Sequence, residues 1–167
     1  MSLKRLVETY ERWRGDDRAM VLATVVRTEG STYSKPGHRI LIDADANYQG
    51  LVSGGCLEGD LAEHALSVID EREARTVIYD MRGENDELFG LGVGCDGLLE
   101  ILLQPLDPAN DYAPFPDLVS ALLGDTACTI CVVIAGDNDT PPAGATCLLY
   151  TSPSPRDATL SRMPSSA

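Results

Sequence analysis

The sequence predicts a single α/β or α+β domain, a mixed β-sheet with flanking helices. Two observations carry this expectation. Apolar runs of strand length, such as AMVLATVVRT and LLEILLQPL, alternate with stretches of helical period, and some neighbouring runs are joined only by short polar turns. The 167 residues, 44% hydrophobic and 23% charged, suffice for one ordinary core and fall short of two large ones.

Taken in order, Leu3, Leu6, Val7, Tyr10 and Trp13 recur at spacings of three and four, the apolar face of a helix ending near Gly15. AMVLATVVRT reads as a buried strand. EGSTYSKPG is a polar loop whose glycines and proline stop that strand. HRILIDADANYQG reads as a strand, a turn around Asp43 to Asn47, and the start of a short strand through Leu51 and Val52. SGGCLEGD leads into the helix DLAEHALSVIDERE, with Leu61, Ala65, Leu66, Val68 and Ile69 facing inward. RTVIYDM and LLEILLQPL are strands flanking the polar loop RGENDELFGLGVGCDG. The Pro- and Asp-rich DPANDYAPFPD is a connector, LVSALLG a short helix and TACTICVVIAG a strand.

Residues 1–106 make up the body of the domain, and 107–146 supply further elements of it. From Cys147 to Ala167 the composition turns to Ser and Pro without period. CLLYTSPSPRD resembles a translated sequencing-library adapter, so residues 147–167 are expected to be a non-native disordered tail on a chain cut near residue 146.

The net charge of −13, from 26 acidic and 13 basic residues without a basic cluster, argues against nucleic acid as a partner. No apolar run approaches bilayer length, and the N-terminus lacks an apolar signal core. Five cysteines without framework spacing suggest reduced thiols in a cytoplasmic protein.

Three stretches offer chemistry. In SGGCLEGD, Gly54, Gly55 and Gly59 permit close approach of a ligand, and the following helix N-terminus favours an anion. Cys56 there would form thiolate more readily. The same stretch also reads as a glycine-rich turn with a space-filling cysteine. GLGVGCDG has GxGxG spacing, but a strand and not a helix follows it, so the phosphate-binding argument fails and a bulged entry into the sheet is the alternative. Cys95 could still stand at the strand start and converge with Cys56 on one pocket. GSTYSKPGHR gathers Ser31, Thr32, Ser34, Lys35, His38 and Arg39, suited to an anionic ligand or merely to solvent. CTIC, Cys128 to Cys131, sits inside a strand, where residues three apart face opposite ways, so core cysteines are expected in place of a metal pair. His64 and His38 are the only histidines, which supports a zinc site poorly.

In series, GSTYSKPGHRILI, SGGCLEGD and GLGVGCDGLLEILLQPL resemble the N-terminal domain of the xanthine dehydrogenase accessory (XdhC/CoxI) family over roughly residues 10 to 106. Two departures stand out: Tyr33-Ser34-Lys35-Pro36 where many members carry a Pro-Arg pair, and Asp96 where many carry glycine. The resemblance implies an accessory factor for molybdenum hydroxylases of the xanthine dehydrogenase type. Such a factor binds the molybdenum cofactor (molybdopterin), assists its sulfuration and delivers it to the apoenzyme, as a cofactor chaperone more than a turnover enzyme.

Carried over by position, Ser31, Lys35, Gly37 and Arg39 would contact the anionic end of the cofactor. Ser53, Gly54, Gly55, Cys56 and Glu58 would line the first glycine loop, and Gly92, Gly94 and Cys95 the second, with Cys56 and Cys95 the candidate metal ligands. The partners so implied are a molybdenum hydroxylase apoenzyme, with room for a cysteine desulfurase and a homodimer. The competing classes are a thiol or persulfide enzyme built on Cys56 and a plain interaction module.

Overall fold

The computed structural model describes residues 3–82, 97–125, 127–136 and 139–150. Strand β1 (Met20–Gly30) is the axis of the fold, and its run of Met, Val, Leu and Ala is buried on both faces over its first half. β2 (Arg39–Asp43) pairs with it on one side and β5 (Gly97–Leu106) on the other. β3 (Tyr48–Gln49) extends the sheet beyond β2, and β4 (Arg75–Asp80) beyond β5, giving the order β3-β2-β1-β5-β4. Every one of these ladders is antiparallel, so the sheet is not the mixed one expected: short turns and loops, not helical crossovers, join its neighbouring strands β1 to β2 and β2 to β3.

The alternation of side chains along β1 divides the core in two. Val21, Ala23 and Val25 share a face with Ile40 and Ile42 of β2 and with Leu99, Ile101 and Leu103 of β5. Helix α2 (Glu58–Glu71) lays Leu61, Ala62, Ala65 and Val68 on that face. On the other face Met20, Leu22, Leu41 and Leu106 meet α1 (Leu3–Gly15), through Leu6, Tyr10 and Trp13, and α3 (Phe115–Leu123), through Phe115 and Leu118. The result is the expected single domain of helices against a sheet, in three layers. Among the described residues no helix is long and apolar enough to cross a membrane.

Beside the main sheet stands a hairpin, β6 (Cys128–Val132) and β7 (Thr146–Tyr150). Its pairing repeats that of β1 and β2 residue by residue. Cys128↔Tyr150 through Val132↔Thr146 matches Met20↔Asp43 through Thr24↔Arg39. The turns match as well. Val25 N–H donates to His38 O (2.9 Å), Gly37 N–H to Val25 O (2.8 Å) and His38 N–H to Lys35 O (3.0 Å). In the second hairpin Val133, Gly144, Ala145 and Pro142 make the same bonds at 2.9, 2.8 and 3.1 Å. Both turns need a left-handed residue, Gly37 (φ 88°) and Gly144 (φ 86°), which glycine supplies without a Cβ clash. The buried Gln104 of β5 docks the second hairpin, its Nε2 donating to Gly144 O at 2.7 Å.

Four local expectations differ from what forms. The short strand after the turn is Tyr48–Gln49; Val52 lies buried beyond it, its N–H given to a carboxylate and not to a ladder. Leu66 is exposed, because the inward stripe of α2 runs through positions 61, 62, 65 and 68 and leaves it to one side. Cys128 and Cys131 do alternate, but Cys131 is exposed and Cys128 half-buried, since the hairpin stands outside the main sheet. The boundary expected at residue 147 falls inside β7, and residues 151–167 lie outside the described ones.

Gly97 opens β5 opposite Gly30, and a Cβ there would meet Thr32 Cγ2 at 2.6 Å and the carbonyls of Glu29 and Ser31 at 2.7 Å. Gly97→Ala is therefore expected to lower the unfolding free energy by about 1–3 kcal/mol in urea titrations. Gly15→Ala, with nothing within 4 Å of its Cβ, is the control and stays within about 0.5 kcal/mol of wild type.

Candidate functional site

Residues 50–57 connect β3 to α2 and hold the stretch SGGC. Gly54 (φ 82°) and Gly55 (φ 113°) turn the backbone so that its N–H groups point inward. What they meet is the carboxylate of Glu58, itself only 1% exposed at the start of α2. Oε1 accepts from Val52 N–H (2.7 Å) and Ser53 N–H (2.9 Å); Oε2 accepts from Ser53 Oγ (2.6 Å) and Gly55 N–H (3.0 Å). Ser53 Oγ in turn accepts from Cys56 N–H (3.1 Å) and Leu57 N–H (2.8 Å). Burial works to raise the Glu58 pKa, but the bonds from the Ser53 hydroxyl and backbone and from Val52 outweigh it and hold the carboxylate below its ordinary value. The loop thus carries its own anion. Cys56, by contrast, is exposed and free, just outside the turn that Glu58 holds.

The second loop, residues 31–38, leaves β1 at the end of the sheet where β5 begins. Thr32 Oγ1 donates to Ser34 O (2.9 Å), and Arg39 Nη1 donates to Gly37 O (3.1 Å). Ser31 and Lys35 are exposed, Arg39 is half-buried, and burial lowers the Arg39 pKa. Two polar atoms of this loop, Ser34 Oγ and His38 Nε2, and Arg39 Nε at the start of β2 are buried without a hydrogen-bond partner among the described residues. Burial also lowers the pKa of His38, against a backbone hydrogen bond with Leu51 that works to raise it.

The two loops meet. The Tyr33 ring lies 3.6 Å from where a Cβ on Gly54 would stand, and His38 reaches Leu51. Between them a cleft of about 430 Å³ is lined by Arg5, Tyr33, His38, Tyr48, Gln49, Gly50 and Leu51.

Of the residues expected at a site, Ser31, Lys35 and Gly37 thus share one loop with Arg39 just after it at the start of β2, and Ser53, Gly54, Gly55 and Cys56 share the adjoining one with Glu58 just after it at the start of α2. Their parts differ from one another. Gly37 serves the turn, and Ser53 and Glu58 serve the loop's own hydrogen bonds, whereas Lys35 and Cys56 are presented to solvent. Gly92, Gly94 and Cys95 lie outside the described residues, and with them the convergence of Cys56 and Cys95. Arg5, Tyr48 and Leu51 are cleft residues that sequence reasoning missed. An apolar side chain in a polar turn is a weak signal, and Arg5 belongs to a helix distant in sequence. On α2, His64 Nε2 lies 3.6 Å from Asp60 Oδ2, to which buried Tyr79 donates its hydroxyl at 2.6 Å. Among the described residues no three His, Cys, Asp or Glu side chains come together as a metal-binding set.

Both loops lie within a segment that is similar to known proteins. The model of the XdhC and CoxI family matches residues 13–80. A probable xanthine dehydrogenase subunit from Bacillus subtilis is 38% identical over 86 residues, 52% of this chain and 26% of that protein. The molybdenum cofactor insertion chaperone PaoD of Escherichia coli is 30% identical over 93 residues, 56% of this chain and 28% of that protein. The crystal structure of a xanthine dehydrogenase from Bacillus halodurans superposes with a TM-score of 0.63 at 31% identity, covering 87% of this chain and 41% of that one. The chain thus spans about a quarter of the length of these two curated relatives.

Glu58→Ala leaves its buried donors unpaired and is expected to cost about 3–5 kcal/mol of unfolding free energy at pH 7. The folded pKa of Glu58 lies below the unfolded one. Its contribution is therefore complete above the ordinary carboxylate range and is lost as pH falls through the lowered value. The stability advantage of wild type over Glu58→Gln is expected to shrink below about pH 4 in acid titrations followed by circular dichroism. An advantage unchanged down to pH 2 contradicts this account.

Proposed function

Because residues 13–80 match the XdhC and CoxI family, we propose that this chain is part of an accessory factor for molybdenum hydroxylases, one that binds the molybdenum cofactor and assists its sulfuration and insertion. One observation supports the reading most: the hydroxyl- and cation-bearing loop 31–38 and the thiol-bearing loop 50–57 border one cleft within the matched segment. The cofactor, when bound, supplies a molybdenum centre on a flat pterin with a phosphate tail.

The residues present fit such a group. Ser34 Oγ, His38 Nε2 and Arg39 Nε are buried polar atoms with bonding capacity to spare, and a fully satisfied structural loop rarely leaves three. Lys35 stands exposed to hold an anionic tail, and the Cys56 thiol is accessible to a soft metal or to sulfur. The loop ahead of α2 has few donors left for the tail, because Glu58 and Ser53 already accept the N–H groups of residues 52, 53, 55, 56 and 57. A molybdenum hydroxylase apoenzyme is the partner that would receive the cofactor, and a cysteine desulfurase the source of its sulfur. The exposed Cys56 also suits a second reading, a persulfide carrier without cofactor retention.

The full chain, loaded with molybdenum cofactor released from a molybdoenzyme and then desalted, is expected to retain molybdenum and pterin together. Cys56→Ala is expected to lower retention about tenfold, and Lys35→Ala a few-fold, the smaller loss reflecting a solvated charge. Wild type that retains no pterin, while its Cys56 still reacts selectively with iodoacetamide, favours the persulfide reading. Wild type that does neither leaves only an interaction module.

A further inference from the structure

We infer that the cleft between α1 and the two loops takes the ring end of the ligand, a flat heteroaromatic stacked against Tyr33 and Tyr48, with His38 Nε2 accepting a hydrogen bond from a ring N–H. The inference rests on the cofactor reading above and adds to it an orientation: pterin in the cleft, anionic tail outward along residues 31–38.

The first argument is that three of the large apolar side chains exposed on this fold gather at one place, while others, such as Ile78 and Leu123, lie elsewhere. Tyr33 (60%), Tyr48 (45%) and Leu51 (39%) all stay open to solvent, and all three line this one cleft. They come from different elements: Tyr33 from the loop 31–38, Tyr48 from β3 and Leu51 from the loop 50–57. An apolar patch gathered from three elements marks a binding surface more than scattered exposure does. Two aromatic rings bordering a cleft of about 430 Å³ give flat faces for a bicyclic ring, in a volume ordinary for a small-molecule site.

The second argument is chemical. His38 is hydrogen-bonded to the Leu51 backbone while its Nε2 has no partner among the described residues, and a ring that donates through its other nitrogen leaves Nε2 a lone-pair acceptor. Nε2 is buried and unpartnered, and so is Ser34 Oγ, on a side chain 2% exposed. A buried acceptor calls for a donor. A pterin carries N–H donors on the rim of a flat ring, so one ligand class answers both the aromatic walls and the acceptor. Arg5, on the α1 side, adds a cation toward the ring carbonyl or the tail.

The third argument comes from the repeated hairpin. β6–β7 builds the same turn with Pro141, Pro142 and Ala145 where β1–β2 has Ser34, Lys35 and His38. The turn therefore requires its glycine and does not require a serine, a lysine or a histidine. Those side chains are surplus to the hairpin, and their chemistry is free to serve a ligand.

The test is fluorescence titration of the full chain with 6-hydroxymethylpterin, whose emission stacking on tyrosine quenches. Wild type is expected to quench saturably. Tyr33→Ala and Tyr48→Ala are each expected to weaken binding about 5- to 50-fold, and Tyr33→Phe and Tyr48→Phe to restore it to within about twofold. His38→Ala is expected to weaken it about 5- to 10-fold, and inorganic phosphate is expected not to compete. Both tyrosines are exposed, so loss of folding is not the expected cause, and circular dichroism checks it. Saturable quenching unchanged in all the alanine variants overturns the inference. GMP bound as tightly as the pterin, with the same variant pattern, makes the cleft a purine site and overturns the pterin assignment. Wild type that retains the loaded molybdenum cofactor but does not bind the free pterin overturns the inference and leaves the accessory reading standing. Wild type that binds neither overturns both.

Discussion

Everything around the candidate site depends on one buried carboxylate. Glu58 stands at the head of α2 with its charge almost wholly removed from water, a position that is tolerable only because backbone and hydroxyl donors surround it. Those donors all come from residues 52–55, so satisfying Glu58 forces the loop to fold back onto the helix that follows it. Leu57, Leu61 and Ala65 then seat α2 on the sheet, and the loop is carried to the mouth of the cleft with Cys56 outside. A segment that reads as an anion receptor already surrounds a carboxylate of its own. Its rigidity, not its free N–H groups, is what it lends the site.

The neighbouring loop has the opposite character. Its hydrogen bonds close the turn and stop there, leaving Ser34 Oγ and His38 Nε2, with Arg39 Nε just beyond, buried with capacity unused, and a lysine in solvent. The β6–β7 hairpin separates what that turn needs from what it merely carries. Gly37 and Gly144 adopt the same left-handed backbone, and Val25 and Val133 make the same bonds, while Pro141, Pro142 and Ala145 stand where Ser34, Lys35 and His38 do. The chain as a whole is acidic, at −13, so cations at this mouth act locally against a repulsive background. An anionic ligand would be held by a few short-range contacts and not drawn in by the overall field.

The elements were largely legible in the sequence. The three-and-four spacing of Leu6, Tyr10 and Trp13 is a helix face wherever it occurs, and AMVLATVV has nowhere to go but between two layers. The site was legible in parts. Loops 31–38 and 50–57 announced themselves by glycine, hydroxyl and thiol, and they do adjoin. Leu66 went wrong because one apolar residue beside a stripe looks like part of it until the helix is set against a sheet. Cys128 and Cys131 looked like core because a strand's alternation shows which residues share a face and not whether anything covers it.

By itself, then, the sequence determined those properties that depend on near neighbours: periodicity, turn positions, the family pattern and the absence of a basic surface. Tertiary structure alone decided which groups are already spent and which remain open. Glu58 and Lys35 are both charged residues in glycine-bearing loops, yet one is consumed by its own backbone and the other faces water. Arg5, Tyr33, Tyr48 and Leu51 come from a helix, a loop, a strand and a second loop, and no local rule joins them. The reason is physical: pairing and burial are satisfied across the fold, so the spare valence of a side chain is a property of what surrounds it.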